Sequence, residues 1–329
     1  MGGTSAERDV SLITGQEIAA ALRQSDHQVL AIDCAYGDLL IKDLNKEMNE
    51  VIRPEHSDFE DRKRELDRNL FKTIDFLHTQ KIDVVFVALH GGYGENGQLQ
   101  ALLDLAGIPY TGSDSLSSAV GMDKYISKTL FKQVDIPVPD SVKLDSLKYS
   151  QQPLETLGFP LVVKPNNQGS TVGLSIVKDA NHLNSAIETA FKYSKSVLAE
   201  KFISGKEVTV AILDQQALPV IEIIPEHGIY DYECKYQTGK SKYIVPAELD
   251  PKITQQLQDL ALKAFKVLGC RHYARVDFRL SDQGIPYCLE VNTLPGMTST
   301  SLVPKAAKAI GIQFPELISR IVQLAISQA

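Results

Sequence analysis

The sequence predicts a mixed α/β and α+β protein, in which an open α/β sheet domain comes first and two α+β segments follow. The chain has 329 residues, which is more than one ordinary hydrophobic core accommodates. Its first third alternates strand-like apolar runs with helical patterns, the rhythm of an open α/β sheet. After that the pattern changes to proline-containing loops and short strand pairs. We therefore expect domains over residues 1–112, 113–204 and 205–329.

The N-terminal segment carries the α/β pattern. A glycine-led loop at residues 2–5 precedes a helical pattern from about Val10 to Leu22, and residues 27–33 are typical of a strand. Residues 82–89 form a nearly continuous apolar run of the kind found in buried parallel strands. His90 follows this run and is expected at the carboxyl edge of the sheet, where open α/β sheets bind ligands. A structural histidine fits the same pattern equally well.

The second segment contains a candidate phosphate site. Residues 168–173 (QGSTVG) follow an apolar strand, and small residues let successive backbone N–H groups approach an anion. Lys164, near the end of that strand, could supply a positive charge to the same phosphates. Glu200 ends one apolar strand and Glu207 begins the next, so each could offer a carboxylate to adenine or ribose. The alternatives are a flexible hairpin with a solvated lysine, and two solvated strand ends.

The most informative feature is a predicted C-terminal hairpin that carries four polar residues. Two strand-like runs, at residues 274–280 and 286–292, are joined by a turn-rich stretch. The simplest register places Asp277 opposite Cys288 and Arg275 opposite Glu290, so that Arg275, Asp277, Glu290 and Asn292 share one face. Two carboxylates and an amide oxygen on one face suit Mg²⁺.

The other face of this hairpin is predicted to enter a core. Its residues are Val276, Phe278, Leu289 and Val291. A slip of one residue in the register would place the two carboxylates on opposite faces and remove the metal site.

Composition excludes several classes of protein. The 34 basic and 41 acidic residues give a net charge of −7, which argues against a nucleic-acid surface. No apolar run reaches the length of a membrane helix and no secretory signal is visible, so we expect a cytoplasmic protein with no membrane partner. The four scattered cysteines indicate neither a zinc site nor a disulfide framework.

Two glycine patterns are poor nucleotide motifs. Residues 92–97 fit Gly-x-Gly-x-x-Gly, but no acidic residue ends a second strand about 20 positions later, which argues against a dinucleotide oxidoreductase. A phosphate-binding P-loop ending at Ser241 would require glycine where Cys234 stands.

Taken together, the motifs resemble the D-alanine–D-alanine ligase family of the ATP-grasp superfamily. The resemblance extends from residue 2 to the C-terminus. Its motifs are GTSAERDVS at residues 3–11, HGGYGENG at 90–97, MDKYISK at 122–128, VKP at 163–165, GSTVG at 169–173, YDYECKY at 230–236, ARVD at 274–277 and EVNTLPGMT at 290–298.

The resemblance implies a three-domain ATP-grasp architecture with ATP between the central and C-terminal domains, and it implies roles for individual residues. The implied ATP-binding residues are Lys124, Lys164, Glu200, Lys201, Ile203 and Glu207, with the backbone of Lys201 and Ile203 on adenine and Glu207 on ribose. The implied ligands of two Mg²⁺ ions, which Mn²⁺ could replace, are Asp277, Glu290 and Asn292.

The resemblance also implies the residues that act on the amino acids. Glu7 would orient the ammonium group of the first D-alanine, with His90 near its carboxylate. Further implied roles are a hydrogen-bonded trio of Glu7, Ser170 and Tyr236 that closes a loop around Lys235, an oxyanion site at Arg275 and the Gly296 N–H, and a site for the second D-alanine at Ser301 and Leu302.

The implied reaction joins two D-alanines through an acyl phosphate, for peptidoglycan precursors, in a homodimer. One alternative is a ligase with a D-hydroxy acid acceptor, which Tyr236 disfavours. The other is an impaired nucleotide-binding homologue. Family members have a strand before the loop at residues 2–5, so we expect either a start upstream of Met1 or impaired activity. Asn96 stands where the family has aspartate.

Overall fold

The computed structural model describes residues 1–38, 40–41, 56–226 and 240–328, with the backbone alone for residues 56–61. The chain forms two compact units. Unit 1 comprises residues 1–119, 270–274 and 293–329, and unit 2 comprises residues 120–269 and 275–292. The three predicted domain boundaries stay predictions.

The described elements are mixed in type, and their bounds are as follows. The helices are α1 (Arg8–Gln24), α2 (His56–Thr79), α3 (Gln98–Ala106), α4 (Ser115–Met122), α5 (Lys124–Gln133), α6 (Gln152–Leu157), α7 (Leu183–Phe191), α8 (Pro251–Val267), α9 (Leu302–Ala309) and α10 (Phe314–Ser327). The strands are β1 (Ser141–Leu144), β2 (Leu161–Pro165), β3 (Ser175–Val177), β4 (Val197–Lys201), β5 (Lys206–Leu213), β6 (Gln216–Ala217), β7 (Ile221–Pro225), β8 (Ser241–Ile244), β9 (Tyr273–Leu280) and β10 (Pro286–Asn292).

Unit 1 confirms the predicted helix at the glycine loop but not the predicted strands. Helix α1 buries one apolar face that includes Ile18 and Leu22, and α10 packs against it. Residues 27–33 and 82–89 make only isolated bridges, Ile32 to Leu40 and Val85 to Tyr110. Within the described residues each stretch has too few paired neighbours to form a ladder, so the prediction of two regular strands is wrong in this structure.

The first sheet of unit 2 has the order β1-β4-β2-β3 and is antiparallel throughout. Alternate residues of β2 and β4, such as Leu161, Val163 and Ala199, are buried in a core with Ile187 of α7. Side chains alternate along a strand, so Lys164 and Val162 face the other side, where the site lies. Glu200, the cross-strand neighbour of Val162, faces the same side.

The second sheet of unit 2 has the order β10-β9-β5-β7-β8, with β6 paired to β5. Helix α8 begins at Pro251 after an Asp250 cap, whose carboxylate accepts from the Lys252 N–H. Its buried face, including Leu257 and Phe265, packs against β5. This helix fixes the sheet that carries the predicted metal ligands.

The C-terminal hairpin forms as predicted, but its register is not the predicted one. Cys288 lies opposite Phe278, the register shifts between Cys288 and Glu290, and Glu290 then lies opposite Asp277. At the start of the ladder Leu280 lies opposite Pro286 instead of the predicted Ile285, a shift of one residue. The extra residue of a β-bulge then shifts the pairing by one more residue. Because side chains alternate with a period of two residues, two shifts of one residue cancel, and the carboxylates of Asp277 and Glu290 share one face as predicted.

The bulge also corrects the predicted core. Val276, Phe278 and Val291 are buried as expected. Leu289, predicted to enter the core, lines the cleft described below, and Cys288 is fully buried instead.

Two expectations from composition concern cysteines and membrane helices. Cys34, Cys270 and Cys288 are free thiols, and Cys234 lies outside the described residues. Among the described helices, none by itself has the length and apolar composition needed to cross a membrane. Helices α9 and α10 meet these two criteria only as a pair, and the pair is bent by 104°.

Candidate active site

Unit 2 contains an open cleft lined by charged side chains and by a glycine-rich loop. It brings together all six residues predicted to hold ATP. The lining includes Lys124, Lys164, residues 168–172, Glu200, Lys201, Ile203, Glu207, Asp277, Leu289 and Glu290.

A buried cluster of three charges forms one wall of the cleft. The Glu200 carboxylate forms ion pairs with Lys128 Nζ at 2.9 Å and with Lys164 Nζ at 2.8 Å. The side chains of Glu200 and Lys128 are each 2% exposed. Lys164 lines the cleft, whereas Lys128 is behind Glu200 on α5. The cluster carries one net positive charge that faces the cleft.

The pKa values of the cluster follow from burial and pairing. Burial alone would raise the pKa of Glu200, but attraction to the two ammonium groups outweighs it and lowers that pKa. Burial lowers the pKa of Lys128. For Lys164 burial acts in the same direction, yet the nearby Glu200 and Glu290 carboxylates raise its pKa. Lys164 therefore remains a cation at the cleft surface.

The glycine-rich loop lies beside this wall. Ser170 and Thr171 adopt φ values of +50° and +63°, conformations that residues other than glycine seldom adopt. Gly173 has φ +69°, and a Cβ there would lie 2.7 Å from the Tyr193 ring and 2.9 Å from Pro165. The turn therefore requires glycine at position 173, and it directs residues 168–172 to the cleft.

The hairpin carboxylates are held by cations and by one hydroxyl group. Arg275 donates to both oxygens of Asp277, each at 2.9 Å. The Thr209 hydroxyl, on neighbouring β5, also donates to Asp277 at 2.6 Å. Lys124 Nζ lies 2.9 Å from Glu290 and donates to the Gln168 carbonyl at 2.8 Å. Lys124 thus joins the hairpin to the glycine-rich loop.

The donor set at this place fits Mg²⁺. Asp277 and Glu290 are cross-strand neighbours, and Asn292 lies on the same face two residues further along β10. The described residues contain no cluster of three His, Cys, Asp or Glu side chains that would enclose a metal by itself. Two carboxylates and an amide oxygen are donors of the kind that Mg²⁺ takes, because it commonly binds one or two carboxylates and completes its shell with phosphates and water.

The far end of the cleft carries Glu207 and the stretch after β4. Arg279 lies 3.4 Å from Glu207 and also donates to the carbonyls of Ile203 and Gly205. The Lys201 N–H donates to the Asp140 carbonyl at 2.9 Å. Arg279 therefore fixes the two residues predicted to meet adenine and ribose, Ile203 and Glu207.

A second group of predicted residues lies within unit 1. Glu7 precedes α1, and its side chain lies so close to Gly91 that a Cβ at position 91 would be 2.7 Å from a Glu7 oxygen. The Ser5 hydroxyl donates to the His90 carbonyl, and His90 Nε2 lies 2.9 Å from the Thr14 hydroxyl. The structure thus places Glu7 beside Gly91, the residue that follows His90.

The loop before α9 carries the remaining predicted residues. The Thr298 N–H donates to the Ser301 hydroxyl at 3.0 Å, and a Cβ at Gly296 would lie 3.2 Å from that hydroxyl. The Ser299 N–H donates to Glu17 of α1 at 2.7 Å. The loop at residues 296–301 is therefore tied to the helix that follows Glu7.

Sequence reasoning missed Arg279, which lines the cleft, and two residues that hold lining carboxylates in place, Lys128 and Thr209. Lys128 carried a detectable signal, because it lies one helical turn after Lys124 and a helix places residues i and i+4 on one face. Thr209 carried none, since its contact with Asp277 depends on the order of the strands. Lys235 and Tyr236 lie outside the described residues.

Known proteins match this chain over nearly its full length. A model for the N-terminus of D-ala D-ala ligases matches residues 1–113, and a model for their C-terminus matches residues 130–323. Curated relatives named D-alanine–D-alanine ligase include one from Syntrophotalea carbinolica, 43% identical over 98% of this chain and 93% of the relative. Another, from Aquifex aeolicus, is 41% identical over 98% of each.

Solved structures are similar as well. A D-alanine–D-alanine ligase from Bacillus anthracis complexed with ATP has a TM-score of 0.76 and 34% identity, covering 100% of this chain and 95% of that one. The VanG D-Ala:D-Ser ligase from Enterococcus faecalis has a TM-score of 0.80 and 28% identity, covering 99% and 97%.

Proposed function

This chain belongs to the D-alanine–D-alanine ligase family, and from that membership we propose that it joins two D-alanines into D-alanyl-D-alanine at the expense of ATP. It is an ATP-dependent ligase with the ATP-grasp fold. The observation that carries the proposal is the cleft of unit 2, where two lysines and two hairpin carboxylates border a glycine-rich loop.

The cleft supplies groups for each part of ATP. Lys124, Lys164 and the N–H groups of residues 169–173 would hold the phosphates, because they combine positive charge with a close backbone approach. Glu200, Lys201 and Ile203 would bind adenine, and Glu207 the ribose. Arg279 supports this role, since it fixes Ile203 and Glu207.

Asp277, Glu290 and Asn292 would hold two Mg²⁺ ions, or Mn²⁺ in their place. When bound, these metals neutralise phosphate charge. Arg275 and Lys124 now occupy the two carboxylates, and each would be free to turn to a phosphate or an oxyanion once a metal takes its place. This exchange explains why basic side chains lie so close to the metal ligands.

The residues of unit 1 would bind the amino acids. Glu7 is suited to the ammonium group of the first D-alanine, and His90 to the neighbourhood of its carboxylate. The second D-alanine would meet Ser301 and Leu302. We also propose that Ser170, Glu7 and Tyr236 form a hydrogen-bonded trio that closes the loop around Lys235 during turnover.

The chemistry explains these groups. A carboxylate is a poor electrophile, so the first D-alanine takes the γ-phosphate of ATP and becomes an acyl phosphate. The amine of the second D-alanine then attacks the acyl carbon, and phosphate leaves. Arg275 and the Gly296 N–H would stabilise the tetrahedral oxyanion, a role in which loss of one donor lowers the rate about 10²–10³-fold. A closed loop would keep water from the acyl phosphate.

The biological setting proposed for this reaction is the supply of peptidoglycan precursors in the cytoplasm by a homodimer. The product supports the role in peptidoglycan synthesis, because a D-alanyl dipeptide belongs to the cell wall. The substrate supports the cytoplasmic location, because ATP is a cytoplasmic substrate. Family resemblance alone supports the dimer.

The deciding experiment measures phosphate release from ATP with and without D-alanine, together with the dipeptide by mass spectrometry. Release that depends on D-alanine, with dipeptide formed in equal amount, supports the proposal. Nucleotide binding without turnover would identify an impaired homologue. Replacing the second amino acid by D-lactate or D-serine tests the acceptor, and a depsipeptide formed readily at neutral pH would favour the hydroxy-acid alternative.

A matched pair of variants links the activity to this cleft. Glu290→Gln should abolish turnover because it removes a proposed metal ligand, whereas Glu248→Gln, at an exposed position on the same unit, should leave turnover unchanged. Near-normal activity of Glu290→Gln would contradict the proposed role of the hairpin.

A further inference from the structure

Arg279 lines the far end of the cleft and takes no part in the chemistry proposed above. It lies on β9 two residues after Asp277, and residues two apart on a strand share one face. The neighbouring strand β5 carries Glu207 and Thr209 with the same spacing. Thr209 donates to Asp277, and Arg279 lies 3.4 Å from Glu207. Two pairs of side chains thus join β5 to β9 along the cleft, one at the proposed metal ligands and one at the proposed ribose site.

The plane of the Arg279 guanidinium is fixed by the segment between β4 and β5. Its Nε donates to the Ile203 carbonyl at 3.2 Å, and its Nη2 donates to the Gly205 carbonyl at 2.8 Å. Its central carbon lies 5.9 Å from the centre of the Phe202 ring, within the range of cation–π attraction. These contacts leave Nη1 directed at Glu207. A lysine has a single ammonium group on a flexible stem and would not hold this geometry.

The same segment is packed tightly against the end of β9. Gly205 has φ +119°, and a Cβ there would lie 2.1 Å from the Leu280 carbonyl oxygen. The Ser204 hydroxyl donates to Asp282 in the turn that follows β9. The main-chain carbonyls that hold Arg279 are therefore themselves fixed in place.

We propose that Arg279 determines nucleotide specificity: it positions the Glu207 carboxylate to accept hydrogen bonds from the two ribose hydroxyls, so that the cleft selects ribonucleotides over nucleotides that lack these hydroxyls. The inference rests on the proposed binding of ATP in this cleft. An ionised carboxylate only accepts hydrogen bonds, and its two oxygens match two neighbouring hydroxyls. Arg279 acts through Glu207 and is a positioning residue.

The surroundings of the pair favour such selection. The side chains of Arg279 and Glu207 are only 17% and 18% exposed, so water and salt screen their attraction less than they would at an open surface. A hydrogen bond from a hydroxyl to a charged group strengthens binding by about tenfold or more. That gain requires a carboxylate that already has the right direction, because an unheld side chain loses rotamer freedom when the ligand binds.

Equilibrium binding of ATP and of 2′,3′-dideoxyATP, which lacks both ribose hydroxyls, tests this role. Isothermal titration calorimetry with Mg²⁺ and without D-alanine gives both dissociation constants for the natural chain, for Arg279→Met and for a matched control, Lys206→Met. Lys206 precedes Glu207 on β5 and pairs with Glu222 at 2.9 Å, so the control also removes one ion pair from this strand.

The natural chain and the control should bind ATP at least about tenfold more tightly than the dideoxy nucleotide. In Arg279→Met this ratio of affinities should approach one, through weaker binding of ATP and little change for the dideoxy form. Glu207→Ala should give the same low ratio, and adding Arg279→Met to it should lower the ratio no further.

A ratio near one in the natural chain, or the natural ratio in Arg279→Met, would overturn the proposal. So would an equal weakening of both nucleotides in Arg279→Met, which is the result that a merely structural role predicts. Binding is measured without turnover, so a failure to form dipeptide would contradict the proposed reaction and leave the expected ratios in place. Dipeptide formation together with equal binding of the two nucleotides would overturn this inference alone.

Discussion

Replacing Glu200 by glutamine removes the one negative charge that two buried lysines share. The glutamate carboxylate pairs with Lys128 and Lys164 at 2.9 and 2.8 Å, and all three side chains are at most 10% exposed. Removing one partner of a buried ion pair costs about 3–5 kcal/mol, because the remaining charge stays buried without compensation. We expect Glu200→Gln to lower the free energy of unfolding of unit 2 by that amount.

The comparison with Lys128→Met makes this prediction specific. Methionine keeps most of the lysine volume, and it leaves the neutral pair of Glu200 and Lys164 intact. One carboxylate oxygen loses its partner, which costs about 1–3 kcal/mol. Lys128→Met should therefore destabilise the protein less than Glu200→Gln does, although both remove one charge from the same cluster.

The pH dependence has a defined sign. The pKa of Glu200 in the folded protein lies below its ordinary value of 4.5, so its stabilising effect is complete above that pH. The effect is lost as pH falls through the folded pKa. The difference in stability between the natural chain and Glu200→Gln should accordingly be constant near neutral pH and shrink in acid.

Urea titrations followed by far-UV circular dichroism at several pH values measure these differences, and hydrogen exchange of β4 peptides assigns them to unit 2. A loss below about 1 kcal/mol for Glu200→Gln would refute the reasoning, since even a typical single hydrogen bond contributes that much. An equal loss of unfolding free energy for Glu200→Gln and Lys128→Met would also refute the reasoning, because the sharing of one carboxylate by two lysines would then have no effect on stability.

Three further changes test the surroundings of the cleft. Thr209→Val removes the hydroxyl that donates to Asp277, and it should raise the magnesium concentration needed for half-maximal ATPase activity several-fold, with little change in melting temperature. Phe278→Ala empties a fully buried position and should lower the free energy of unfolding by about 3–5 kcal/mol in urea titrations. Gly173→Ala places a methyl group against Tyr193 at positive φ, so KM for ATP should rise, and an unchanged KM would show that the loop geometry does not matter.

The sequence predicted most of unit 2 because its signals are local. The helix at Lys124, the strand ending at Pro165 and the helix ending at Val267 each have their own apolar period and turn residues. The predicted strands at residues 27–33 and 82–89 were less successful. Their apolar pattern only says that such a stretch is buried, whereas a strand also needs paired neighbours, which depend on the rest of the sheet.

The hairpin shows that which residues share a face of the sheet can be predicted even when their exact pairing cannot. In the ladder that begins with Pro286 opposite Leu280, continued pairing would place Leu289 opposite Asp277 and turn Glu290 towards the core. The bulge lets Leu289 and Glu290 oppose the same residue, so the carboxylate returns to the polar face and Leu289 enters the cleft. Alternation along the strand could predict which residues share a face, but no local signal announces a bulge. One inserted residue thus places the two proposed metal ligands on one face and brings Leu289 to the lining of the cleft.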